Sequence, residues 1–284
     1  MIRRLDGLLQ GDYRTLMRGQ GLDLLDIRQY EPGDDVRYID WNVTARMDEP
    51  YVRQYLEDRE VTGWFLLDLS PSVDFGTTDS RKRDQLLGFV TVLARLLTRH
   101  GNRVGVIAYG DKVETPIPPS TGRRHVLRVV HELVRREPLQ SAPFTALGDL
   151  LASAVKTIGR RSLVFVISDF ISAPGWESPL TMLARRHEVI AVRLVDPREV
   201  ELPDIGGVYF TDAETGEQMF IDTHDERFRR RFTDAAHARE EALRTSFARA
   251  GVAVLPLSTE DDLVAAILRF AMARKRARVA ARGT

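Results

Sequence analysis

From residue 61 onward the chain alternates between short apolar runs of strand length and longer stretches of helical spacing. Residues 61–68 carry Trp64, Phe65, Leu66 and Leu67 in an unbroken run that stops at Asp68, which predicts a strand covered on both faces. Residues 81–100 set Leu86, Leu87, Phe89, Val90, Leu93, Leu96 and Leu97 at helical spacing, and Gly101 ends the run. Residues 103–109 read as a second strand. Residues 113–117, cut by Pro116, Pro118 and Pro119, read as an edge strand. Helices follow over 123–136, with Val126, Leu127, Val130, Leu133 and Val134 inward, and over 145–158. Residues 162–167 form the other strongly apolar strand, which stops at Ser168 and Asp169, and 189–195 form another, stopping at Asp196. Strands alternating with helices predict a parallel sheet of an α/β protein.

The remaining pieces are a helix over 180–186, a β-hairpin from 208–210 and 219–221, and a charged helix over 225–250. A last strand at 252–257 and a closing helix from 261 to about 278 complete the chain. Upstream, residues 1–20 read as a short helix. Residues 21–60 are dense in alternating charges and aromatics around the turn signal Pro32-Gly33-Asp34-Asp35. There Ile27, Tyr30, Val36, Tyr38, Ile39 and Trp41 read as a packed arm or short ribbon in which Arg28, Asp34, Asp35, Arg37, Asp40 and Arg46 pair with one another or brace a neighbour. The expected division is an arm over 1–57, an α/β domain over 58–275 with a hairpin inserted near 206–223, and a basic tail over 276–284.

Composition changes this picture little. The chain has 284 residues, 43% hydrophobic and 29% charged, with Lys+Arg and Asp+Glu equal at 41 each. Neither a general nucleic-acid surface nor a membrane span is expected, and the absence of cysteine removes disulfide and thiol chemistry. A cytoplasmic address follows as an expectation. Several motif-like strings carry nothing. Residues 105–112 approach a phosphate-binding loop but run from strand into turn, the six histidines lack zinc spacing, and no G-x-S-x-G elbow exists.

Chemistry enters at the strand ends. Asp68, Ser70 and Ser72 put one carboxylate and two hydroxyls at alternate positions, a weak string by itself. If the strands ending at Asp68 and Asp169 lie side by side, these three groups, Thr145 and Asp169 reach one pole of the sheet, where open α/β sheets bind ligands. Five hard oxygen groups, two of them anionic, suit an octahedral Mg²⁺ or Mn²⁺ that keeps an open position. The bland alternative is that they cap strand and helix ends. Asp74 and Asp149 are nearby acids read as loop and helix charges. A phosphotransfer reading of Asp68 lacks a lysine partner and a second upstream carboxylate.

This order of elements resembles the von Willebrand factor A fold, a Rossmann-like parallel sheet with helices on both faces, over roughly residues 58–270. Its metal-ion-dependent adhesion site follows the pattern D-x-S-x-S, then Thr, then Asp, matched by Asp68, Ser70, Ser72, Thr145 and Asp169. The resemblance implies serines and threonine on the metal and aspartates reaching it directly or through water. Residues 28–46, RQYEPGDDVRYIDWNVTAR, preceding such a domain look like the bacterial domain of unknown function 58 family. That resemblance implies a partner, an AAA+ ATPase of the MoxR type, and a client bound through an acidic side chain. The expectation is an interaction module and no enzyme. The alternatives are a metal-dependent hydrolase or phosphatase using the same ion as Lewis acid, and a scaffold whose 28–46 arm makes the contact.

Overall fold

A computed structural model describes residues 26–32, 34, 36, 39–47, 49–54, 61–77, 80–139, 145–211 and 217–282. The helix expected over 1–20, Arg37, Tyr38 and the tip of the hairpin lie outside the described residues. The chain divides into two compact units, one spanning residues 17–60 and the other holding everything from residue 61 onward.

In the smaller unit, β1 (Asp26–Gln29) pairs antiparallel with β2 (Tyr51–Gln54), and α1 (Trp41–Met47) lies between them in sequence. Buried Asp40 starts α1, its Oδ1 accepting from the backbone amides of Asn42 at 3.0 Å and Val43 at 3.2 Å. The expected pairing of Arg28 with Asp34 is present at 2.6 Å. The expected packing of Trp41 and Val36 is not: both are exposed. Asp40, and not the aromatic beside it, is the buried anchor of that turn.

The larger unit is an α/β sheet of six strands in the order β10-β7-β6-β3-β4-β5. The strands are β3 (Thr62–Asp68), β4 (Arg103–Tyr109), β5 (Ile117–Ser120), β6 (Leu163–Ser168), β7 (Glu188–Val195) and β10 (Ala253–Ser258). All neighbours are parallel except β4 and β5. The strand expected at 113–117 lies slightly later and contains Pro118 and Pro119. An edge strand accommodates them because it needs partners on one side only.

Two helical layers cover the sheet. On one face Trp64, Leu66, Val164, Val166 and Ala191 pack against α4 (Leu147–Thr157), α5 (Glu177–Arg186) and α6 (Glu226–Ala250). On the other, Phe65 stacks on Phe165 at 5.3 Å between ring centres, and Phe89 of α2 (Lys82–Arg99) meets Phe165 edge-on at 5.6 Å. The helix α3 (Arg123–Val134) packs beside α2 and buries Val126, Val129 and Leu133, whereas Leu127 and Val134, read as inward from the sequence, are exposed. Its buried stripe is narrower because it rests chiefly on one helix, touching the sheet through His125 at the Val104 carbonyl. The hairpin of β8 (Gly207–Thr211) and β9 (Gln218–Asp222) forms a separate sheet, and α7 (Leu263–Arg282) ends the described chain. Among the described residues no helix is long and apolar enough to cross a membrane.

Strand order fixes where a ligand would sit. From β3 the chain moves to β4 on one side, and from β6 it moves to β7 on the other. The carboxyl ends of adjacent β3 and β6 therefore bound the crevice at which open α/β sheets bind ligands.

Candidate functional site

Both strand-end aspartates stand at that crevice, and both are fully buried. The chain leaves β3 by a sharp bend. Asp68 Oδ1 accepts from the backbone amide of Ser70 at 3.0 Å, and Pro71 opens a short 3₁₀ turn (Pro71–Asp74) that brings Ser72 back beneath Ser70. The two hydroxyl oxygens lie 3.1 Å apart. That is a hydrogen-bond distance, and it is also close to the roughly 3.0 Å that separates adjacent oxygens around an octahedral ion with bonds of about 2.1 Å.

From β6, the Ser168 hydroxyl donates to Asp68 Oδ2 at 2.6 Å and accepts from the Phe170 amide at 2.8 Å. Asp169 Oδ1 accepts from the Ile171 amide at 3.0 Å. Phe170 adopts φ 55°, a left-handed conformation that costs a bulky residue about 1–3 kcal/mol. Its ring is held between Trp176, at 5.5 Å, and Phe247, at 4.8 Å. The aromatic cluster thus sustains a backbone turn that aims Asp169 into the crevice.

Thr145 is fully buried and precedes α4, which begins at Leu147 and not at the threonine as its sequence pattern suggests. It is fixed from both flanks. Its carbonyl accepts from the Ser172 hydroxyl at 2.7 Å and the Ala173 amide at 3.0 Å, while the next amide, that of Ala146, donates to the Tyr109 hydroxyl at 3.1 Å. Tyr109 is the β4 register partner of Asp68. Three segments distant in sequence are thereby tied to one pole of the sheet.

Two aspartates of one chemistry meet opposite electrostatics here. Burial and the neighbouring Asp169 charge push the Asp68 carboxyl up to about 6, against hydrogen bonds from Ser168 and Ser70 that favour its ionised form. Burial also pushes Asp169 upward, but the Lys82 ammonium overcomes it and holds the carboxyl below its ordinary value. Lys82 Nζ lies 2.8 Å from Asp169 Oδ2 and 2.7 Å from Glu199 Oε1, and burial of the ammonium is outweighed by these two carboxylates.

The residues the sequence points to are therefore joined by Lys82, Ser168, Ser172 and Glu199, which it does not. Lys82 pairs with Asp169 and Glu199 and not with Asp68, so it does not supply the lysine partner that a phosphotransfer reading of Asp68 lacks. It is wholly enclosed and bound to two carboxylates, unlike a lysine placed to meet a substrate phosphoryl group. The third strand-end acid, Asp196, is consumed structurally: it accepts from the Thr77 amide and hydroxyl, the Arg198 amide and the Thr259 hydroxyl. Those bonds hold its carboxyl low despite burial. Asp74 is paired with Arg83 at 3.2 Å, and Asp149 is exposed in the first turn of α4.

Among the described residues no cluster of three or more histidine or carboxylate side chains is placed to hold a metal ion. A cation at this pole would take its remaining ligands from hydroxyls. The donor set fits one: hard oxygens only, two buried aspartates close enough to disfavour joint ionisation, and two hydroxyls at the spacing of neighbouring ligands.

Comparison with known proteins places the chain among relatives. The family model described as protein of unknown function DUF58 matches residues 26–242. Uncharacterized proteins of Mycobacterium tuberculosis and Mycobacterium bovis are each 38% identical over 283 residues, spanning 98% of this chain and 87% of theirs. Among solved structures, an aerotolerance-related membrane protein from Bacteroides fragilis aligns with a TM-score of 0.52 at 15% identity. That alignment covers 76% of this chain and 99% of that one, a likeness of fold. The conserved hypothetical protein BatB from Bacteroides thetaiotaomicron aligns with a TM-score of 0.49 at 16% identity over the same shares.

Proposed function

The chain belongs to the DUF58 family, and from that premise we propose that it is a metal-dependent protein-interaction module of the von Willebrand factor A type and not an enzyme. What supports the reading is that Asp68, Ser70 and Ser72 follow the end of β3 and Asp169 the end of adjacent β6, with buried Thr145 tied through its backbone carbonyl to the segment after β6. Ser70, Ser72 and Thr145 would hold Mg²⁺ or Mn²⁺, with Asp68 and Asp169 contributing directly or through water. A bound divalent ion held largely by neutral hydroxyls offers an open position to a carboxylate from another protein.

The chain's own groups do the rest. The Ser168 hydroxyl and the Ser70 amide orient the Asp68 carboxylate, Lys82 and the Ile171 amide orient Asp169, and the Ser172 hydroxyl fixes the backbone at Thr145. Among the described residues no histidine hydrogen-bonds Asp68, Ser70, Ser72 or Asp169, so these four have no imidazole beside them to act as a general base for hydrolysis. This weighs against the same ion serving as a Lewis acid in a hydrolase or phosphatase.

The partner proposed from the sequence resemblance is an AAA+ ATPase of the MoxR type, or a client presenting an Asp or Glu. The test is a pull-down of a MoxR-type ATPase by the full chain in Mg²⁺ and in EDTA, with Asp68→Ala as control. Capture in Mg²⁺ that disappears in EDTA and in the variant is expected; capture indifferent to both would overturn the reading.

A further inference from the structure

We infer that Lys82 is the charge-setting residue of the cation site, limiting how tightly a divalent ion is held there. This rests on the metal-binding reading above. The ammonium is wholly buried between Asp169 and Glu199, at 2.8 and 2.7 Å, and joins the first turn of α2 to the end of β6 and to the 3₁₀ turn after β7 (Pro197–Glu199). Stability alone gives a weak reason for it. Positions 86, 89, 90 and 93 of the same helix are buried and apolar, and well-packed apolar groups commonly do as well as a buried ion pair. A lysine here acts through its charge.

Lys82 sets one positive charge against the two carboxylates it touches, Asp169 and Glu199, and buried Arg193 adds a second positive charge that acts on Asp169. Two acceptor directions of Asp169 are already taken, Oδ2 by the ammonium and Oδ1 by the Ile171 amide. Lys82 thereby withholds part of Asp169 from the ion, which stays electron-poor and receptive to a further carboxylate. Removing the lysine charge should tighten metal binding. Removing the Glu199 charge, which leaves the ammonium to act on Asp169 alone, should weaken it.

The opposed signs separate this role from a structural one. In the EDTA-stripped full chain, Mn²⁺ affinity is measured by titration calorimetry and by the paramagnetic resonance of free Mn²⁺, with circular dichroism reporting the fold. Lys82→Met should bind Mn²⁺ at least about tenfold tighter and Glu199→Gln about tenfold weaker, with Lys82→Arg close to wild type. The Glu199 side chain is partly exposed, so its variant keeps the test decisive if Lys82→Met does not fold. Wild-type binding with variants that match it within about twofold, or that shift in the same direction, overturns this inference alone. No Mn²⁺ binding by the folded wild type overturns the metal reading and this inference with it.

Discussion

A carboxylate buried beside another carboxylate has two ways to be tolerated, a proton or a counter-charge, and the site uses both. Asp169 has its counter-charge in Lys82; Asp68 has none among its described partners and its carboxyl is pushed up to about 6. The sign follows directly. Folding favours the protonated form of Asp68, so ionising it penalises the native state, fully above about pH 6 and not at all below the ordinary carboxylate value near 4. In EDTA, Asp68→Asn should therefore be more stable than wild type at pH 7.5, by up to about 3 kcal/mol, with the gap closing by pH 4. Urea denaturation at the two pH values measures it, and an equal gap at both would contradict this account. Phe170 is the other residue with a specific cost. Phe170→Gly relieves its left-handed backbone, worth about 1–3 kcal/mol, but deletes a ring packed on Trp176 and Phe247, worth about 3–5 kcal/mol. A net loss of about 2 kcal/mol is expected in the same assay. The two aspartates and three hydroxyls were legible because each sits where an apolar run stops or a helix is about to begin. Lys82 was half legible: it lies one turn before Leu86 and two before Phe89, on the buried side of α2. Its partners were not, since Asp169 and Glu199 lie 87 and 117 residues away and only strand order brings them together.

Among the elements, the strands were the clearest in the sequence, because a strand buried on both faces is largely apolar, as β3 and β6 are between their polar ends; β7 departs from this at buried Arg193. Faces of peripheral elements were harder. Leu127 and Val134 fit a helical stripe but point to solvent, because α3 rests chiefly on α2, and Trp41 is exposed although the sequence reads it as packed. Pairings between strands add constraints that no single strand declares. Gly105 of β4 is the register partner of Trp64 of β3, and a Cβ at residue 105 would come within 2.8 Å of the indole ring. Rigid aromatic atoms on a central strand cannot withdraw cheaply, so Gly105→Ala should destabilise by about 1–3 kcal/mol and shift the fluorescence of Trp64. Unchanged emission and an unchanged urea midpoint would show that the ring has room to move.

At the scale of the whole molecule, the sheet closes late. Every residue assigned to the site lies before residue 200, and the strands that bear it, β3, β4, β6 and β7, are complete by Val195. The strand that covers the outer edge of β7, β10, spans Ala253–Ser258. Until it arrives, β7 offers its unpaired backbone groups along a strand whose side chains are almost all buried in the finished fold. A chain truncated after residue 250 should accordingly form soluble aggregates on size-exclusion chromatography, whereas the intact chain should not; a monodisperse truncation product would contradict this. The order β10-β7-β6-β3-β4-β5 therefore has a consequence for biosynthesis. On a ribosome adding about 5–20 residues per second, the nascent chain can assemble the crevice several seconds before it can seal the sheet. During that interval the emerging polypeptide is a natural client for a chaperone that shields β7.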